Sequence, residues 1–172
     1  MDELLKKLKI GDEEAFEYLV KFYERQLLII AKLRLNDEHL AKDAVQETFL
    51  SLFLNSMKIS NSKKIKPWLT AVLINKCNDL ARENKIIQVS FEQNDFENFI
   101  YSDDEFKNII DKIDFVSKIN LLDVDERTII AMYYEGEYTT KEISEILNIS
   151  NGTIKSKISR AKVKLKNKIG GN

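Results

Sequence analysis

Two rows of side chains carry the chemistry open to this chain. Ala71, Asn75, Asn78 and Arg82 recur at steps of four, three and four residues, a spacing that lines them along one side of a helix. Carboxamides pair with base edges and a guanidinium with phosphate or guanine, so a row of amides ending in Arg suits a nucleic acid. It equally suits a plain solvated face. Nearer the C-terminus, Thr153, Lys155, Ser156, Lys157, Ser159 and Arg160 gather small, polar and basic groups. The sequence shows no Ser/His/Asp set and no phosphate loop, and it has one Cys and one His. That is too little for a cysteine-built zinc site or a paired histidine ligand set. No catalytic residue, metal site or cofactor is therefore expected. His39, at a helix start, is expected on the surface, and Cys77 is expected as a buried, inert thiol.

The elements that must position these rows are helices. With 5 Gly and 1 Pro the chain is poor in turn residues, while 44% hydrophobic residues suffice for compact cores. Asp12 can cap a helix reaching about Leu35, with Phe16, Leu19, Val20, Tyr23, Leu27 and Ile30 on one side. Asn36 or Asp37 caps the next, to about Asn55. Its core stripe is Leu40, Ala41, Ala44, Val45, Thr48, Phe49, Leu52 and Phe53. A second stripe on it mixes acids and leucines: Asp43, Gln46, Glu47, Leu50 and Leu54. Such a stripe suits docking on another protein's helix, or packing of the two leucines inside the same module. Residues 56–66 read as a basic loop, in which Ser60, Asn61, Lys63 and Lys64 could grip an unpaired base. Pro67 suits the first turn of a third helix, to about Asn84, with Leu69, Leu73, Cys77 and Leu80 inward and Trp68 at a face edge.

Residues 87–103 lack a period and read as a linker. A helix is expected from about Asp104 to Leu121, another over Val124–Tyr134 ended by Gly136, and two more starting near Thr140 and Asn151. The last pair has the marks of a helix-turn-helix. Thr139 and Glu142 have capping-box spacing, Asn148 can take the positive φ of a tight turn, Ile149 plugs the corner, and Ser150 caps the second helix. Ile154, Ile158, Ala161 and Leu165 then face inward, which turns the basic row outward, towards a DNA major groove. Lysines out to Lys168 can meet phosphates.

Charge divides the chain further. Its net charge is -1, yet residues 139–172 hold eight cations against two acids, and residues 58–86 hold seven against two. Residues 87–126 hold eleven acids against three lysines. Two basic blocks around an acidic middle suit two contacts with one polyanion, or ordinary solvated helix faces. The N-terminus has acids where a signal peptide is basic, and no apolar run, that of Leu27 to Ala31 included, comes near a membrane span. A soluble, cytoplasmic protein with no membrane insertion of its own is expected.

The order of GDEEAFEYLVKFYERQL, DAVQETFL, KPWLTAVLINKCNDLAREN, an acidic linker and TTKEISEILNISNGTIKSKISRAKVKL resembles the extracytoplasmic-function sigma factors of bacterial RNA polymerase over nearly the whole chain. The resemblance implies an all-α chain of two small domains. Sigma domain two, a bundle of three to four helices, spans 1–86; sigma domain four, with the helix-turn-helix, spans 104–172. It implies that Asp43, Gln46, Glu47 and Leu50 dock on the clamp helices of core RNA polymerase. Asn75, Asn78 and Arg82, with Ser60, Asn61, Lys63 and Lys64, would read the melted minus-ten element of promoter DNA. Thr153, Lys155, Ser156, Lys157, Ser159 and Arg160 would read the minus-thirty-five element from a module seated on the polymerase flap. An anti-sigma factor is a further implied partner. Ala71 stands where many relatives carry a basic residue. Element centres about 25 base pairs apart lie roughly 85 Å apart at about 3.4 Å per pair. Two modules of about 13 Å radius of gyration and a linker of at most about 60 Å cover that span. A dimeric helix-turn-helix regulator and a sigma-like adaptor without a promoter of its own remain the rival readings.

Overall fold

The computed structural model describes residues 1–84 and 119–167, and every regular element among them is helical. We label them α1 (Asp2–Lys9), α2 (Glu13–Leu35), α3 (Glu38–Asn55), α4 (Ile65–Glu83), α5 (Val124–Tyr134), α6 (Thr140–Leu147) and α7 (Asn151–Asn167), with 3-10 turns at Ser56–Lys58 and Ser62–Lys64. The expected linker and most of the helix expected from about Asp104 lie outside the described residues, as does Lys168.

Local chemistry sets the helix ends of the first bundle. The Asp12 carboxylate accepts from the Ala15 amide at 2.7 Å, satisfying one of the donors left over at the start of α2. Asn36 and Asp37 share the next junction. Asn36 ends α2 in the left-handed region at φ 52°, and Asp37 opens α3 by accepting from Leu40 N at 2.9 Å. The inward stripes then interlock: Leu19, Leu27 and Ile30 of α2, Ala41, Ala44 and Leu52 of α3, and Leu69, Leu73 and Cys77 of α4 are all buried. Burial pushes the Cys77 thiol up to about 12. His39 is exposed.

One expectation needs correction, and two features go beyond the pattern. Phe53 is not core: it lies in the last turn of α3, beyond Leu52, and meets half-buried Phe16 edge-on at the rim (5.4 Å). The N-terminal residues form a helix that the pattern did not announce, and it buries Leu5 and Leu8 against the bundle. The loop 56–66 is also tied down. Ser56, Ile59 and Ser62 are buried, and the Ser62 hydroxyl bonds the Asp2 carboxylate of α1.

The C-terminal helices pack directly on this bundle. Residues 126–132 of α5 are buried all round, because α2 covers one side and α7 another. Ile29 and Leu33 of α2 are buried as well. Polar links fix the register of the seam: Gln26 Nε2 donates to the Glu135 carbonyl at 2.9 Å, and Arg34 Nη1 donates to Thr128 Oγ1 at 3.0 Å. Tyr138 inserts its ring beside α4. Its hydroxyl accepts from buried Thr70 and donates to the Lys66 carbonyl at 3.2 Å, and the Lys66 ammonium lies 4.6 Å from the ring centre.

Gly136 serves this insertion and does not supply the expected helix-ending turn. The positive φ belongs to Glu137, at 47°. A Cβ on Gly136 would lie 2.4 Å from the Met132 carbonyl oxygen and 2.4 Å from the Tyr138 ring, and the backbone atom cannot yield. Gly136→Ala should therefore destabilise the fold by about 1–3 kcal/mol, read as a lower urea midpoint. Tyr138→Phe leaves Thr70 buried without its partner. It should cost about 1–3 kcal/mol and raise the separation of dyes placed on the two halves in energy-transfer measurements; an unchanged separation and midpoint would contradict the seam.

Candidate nucleic-acid interface

The outward row on α7 is positioned by caps and one apolar stripe. The Thr139 hydroxyl accepts from Glu142 N at 3.2 Å, while the Glu142 carboxylate accepts from Thr139 N at 2.8 Å. Those bonds hold the Glu142 carboxyl below its ordinary range. Asn148 takes φ 54° at the end of α6, as the spacing predicts. The Ser144 hydroxyl donates to the Ile149 carbonyl at 2.6 Å, closing the corner, and the Ser150 hydroxyl accepts from Thr153 N at 3.2 Å to start α7. Ile154, Ile158 and Ala161 are buried and Leu165 is half-buried. The opposite face is thereby turned out: Thr153, Lys155, Ser156, Ser159 and Arg160 are all exposed.

Not every lysine of α7 is available. The Lys157 side chain is 19% exposed, with Nζ 3.8 Å from Asp123. Lys164, expected among the phosphate contacts, instead reaches Glu126 with Nζ 2.9 and 2.7 Å from its two oxygens. Glu126 is only 4% exposed and also accepts from Asp123 N at 3.1 Å. A buried carboxylate needs such partners, so Lys164 holds α7 on α5. Lys162 lies over the Tyr133 and Tyr134 rings at 5.6 and 5.7 Å. Sequence reasoning missed Glu126, although Asp123 and Glu126 have capping-box spacing that could have marked it.

The second row runs along α4. Asn75 and Arg82 are exposed and Asn78 is half-buried. Arg82 pairs with Asp79 on its own helix. Asn78 is engaged from α2: Arg34 donates to its Oδ1 from Nε at 3.0 Å and from Nη2 at 2.7 Å. No local spacing relates residue 34 to residue 78, so the pattern could not show this pair. Ser60, Asn61, Lys63 and Lys64 are exposed at the opposite end of α4. At about 1.5 Å per residue, Lys64 and Asn75 are roughly 17 Å apart along the axis, so the expected set forms a strip and not a pocket.

The acid-and-leucine stripe of α3 faces solvent. Asp43, Gln46 and Glu47 are exposed, Leu50 is 56% exposed and Leu54 69%. The alternative that these leucines pack within the module is thereby removed. Beside them α2 and α3 enclose a groove of about 670 Å³, with Phe16, Val20, Leu28 and Phe49 in its wall and Gln46, Glu47 and Leu50 among its lining residues. Glu47 also holds Lys76 of α4 at 2.6 Å. Among the described residues no cluster of His, Cys, Asp or Glu could hold a metal, and no helix is long and apolar enough to cross a membrane.

Two family models match parts of the chain. The family model for sigma-70 region 2 matches residues 19–86, and that for sigma-70 region 4 matches residues 113–165. The chain is 31% identical to the ECF RNA polymerase sigma factor SigM of Bacillus subtilis (strain 168), over 90% of this chain and 92% of that one. It is 28% identical to SigW of the same organism, over 96% and 94%. Two solved structures share its fold at 21% identity. One is CnrH in complex with the cytosolic domain of CnrY (TM-score 0.69, 98% of this chain and 96% of that one). The other is the sigma factor RpoE in complex with the anti-sigma factor NepR from Bartonella quintana (TM-score 0.71, 88% and 94%). Region 2 over the first bundle, region 4 over the helix-turn-helix and a match to SigM over 90% of this chain together make this chain a member of the extracytoplasmic-function RNA polymerase sigma factors, initiation factors that are not enzymes.

Proposed function

We propose that this sigma factor directs core RNA polymerase to a bipartite promoter through three separate surfaces. Residues 1–86 act as sigma domain two and 104–172 as sigma domain four, with 87–103 as the linker. Asp43, Gln46, Glu47 and Leu50, beside the apolar groove of α2 and α3, dock on the clamp helices of the polymerase. Asn75, Asn78 and Arg82, with Ser60, Asn61, Lys63 and Lys64, take the minus-ten element. Thr153, Lys155, Ser156, Lys157, Ser159 and Arg160 take the minus-thirty-five element while domain four rests on the flap. The observation that carries the reading is the α7 face: its apolar stripe, Ile154, Ile158 and Ala161, is buried where α7 packs on α5 and α6, and it leaves a small, polar, basic face uncovered.

The elements lie roughly 85 Å apart at about 3.4 Å per base pair, whereas the two halves here are in contact. Promoter binding therefore requires the seam at Tyr138 and Arg34 to part. The two solved relatives are each held by a protein partner, and we extend an anti-sigma partner to this chain. Such a partner, the polymerase and the promoter place its action in the cytoplasm.

Transcription in vitro with purified core enzyme, on templates with intact and scrambled upstream elements, tests the whole reading. Start sites should depend on the chain and on both elements. Polymerase binding without new starts would favour an adaptor, and promoter binding without polymerase a stand-alone regulator. Arg160→Ala should lower discrimination at the upstream element by about 1–3 kcal/mol if the contact is bidentate; equal activity on intact and scrambled elements with the unaltered chain would remove α7 from this role. Leu50→Asp should weaken binding to core enzyme tenfold or more, seen in a native-gel titration, and leave the urea midpoint of the free protein unchanged.

A further inference from the structure

We propose that Arg34 determines what Asn78 can recognise, by occupying the acceptor half of its carboxamide. The inference rests on Asn78 being a base-contacting residue. Nε and Nη2 of Arg34 both donate to Asn78 Oδ1, at 3.0 and 2.7 Å. A guanidinium has donors only, so chemistry fixes which end of the amide faces it. A carbonyl oxygen has two lone pairs, and the two N–H groups use both. The amide nitrogen of Asn78 has no partner among the described residues, on a half-buried side chain of α4.

The pair belongs to the first bundle, since Arg34 is in α2 and Asn78 in α4. It therefore does not need domain four to exist. Domain four adds a second grip: Arg34 Nη1 reaches Thr128 Oγ1 at 3.0 Å and Asp125 at 3.5 Å, and the Arg34 side chain is 15% exposed. A free Asn offers one donor and one acceptor side by side, which is what the bidentate pair with adenine needs. With its oxygen taken, Asn78 can only donate, and the adjacent positive charge polarises its N–H groups. The matching base edges are those presenting an oxygen or ring-nitrogen acceptor. Arg34 is thus a positioning residue for specificity, remote in sequence from the residue it governs.

The test uses the full chain in holoenzyme on a promoter library randomised across the minus-ten element, with base preference read at every position. Asn78→Ala should flatten one position. Arg34→Met should shift preference at that same position at least threefold towards adenine and leave the others alone. Arg34→Lys, which restores a donor, and Asp125→Ala, which removes only the interdomain ion pair, should keep the original preference there. An unchanged preference in Arg34→Met, or an equal loss at all positions, overturns the proposal. Should Arg34→Met fail to fold, Asn78→Asp carries the test with Arg34 in place. The guanidinium fork then takes both carboxylate oxygens and the position flattens; a switch to cytosine, whose amino group an unoccupied carboxylate would accept, overturns it. If Asn78→Ala flattens no position, Asn78 does not read a base, and both readings fall.

Discussion

The fold turns on one buried phenol. Tyr138 lies between the two halves, its ring under the Lys66 ammonium and its hydroxyl bonded to Thr70 and the Lys66 carbonyl. Burial holds it protonated, well above the ordinary range for tyrosine, so it remains a donor at any working pH. Everything that brings it there is local. Gly136 allows the chain to pass under the ring, Glu137 turns the backbone, and Thr139 begins the next helix at once. The insertion sets α6 against α4 and α5 against α2. A helical unit as small as the described part of the second half buries a low fraction of its surface alone, so leaning on a neighbour is physically reasonable.

Charge follows the same economy. The chain is close to neutral, yet its cations are not equivalent. Lys32 is nearly buried beside Glu38, Lys76 is held by Glu47, and Lys164 answers the buried Glu126. A buried ion pair of the Glu126 kind is weak support for stability in itself, but either half left alone would be costly. Its effect is orientation: with Lys157 near Asp123 as well, α7 is pinned to the start of α5 at two points. Lys155 and Arg160 stay on the open side, where a polyanion can meet them.

Much of this was legible because it is local. Caps, turns and stripes depend on residues three and four apart, and Asp12, Asp37, Thr139, Asn148 and the α7 stripe behave as their spacing says. The α3 stripe was legible as an exposed mixture, and the structure decides between its two meanings by leaving Leu50 and Leu54 uncovered. What escaped is non-local or depends on length. Phe53 fits the periodic stripe, but the core ends before it. The helix α1 is short and charged, and only packing of Leu5 and Leu8 on the bundle shows why it forms. Arg34, Thr128 and Tyr138 meet partners far away in sequence, for which periodicity holds no information.

The seam also dictates which proposed surfaces are available together. The stripe of α3 and the outward face of α7 are open while the halves touch. Asn78 is different, because the arginine beside it also grips Thr128 across the seam. On the proposed function, a molecule in this state can meet polymerase through α3 and cannot yet span both promoter elements. Parting the halves uncovers apolar surface, the Tyr138 ring included, at about 25 cal/mol per Å². That cost must be offset by new contacts, and those with polymerase come first in the order the geometry permits. On that function promoter reading is a consequence of docking, since the surface proposed to recruit the enzyme is free from the start and the span proposed to read DNA is not.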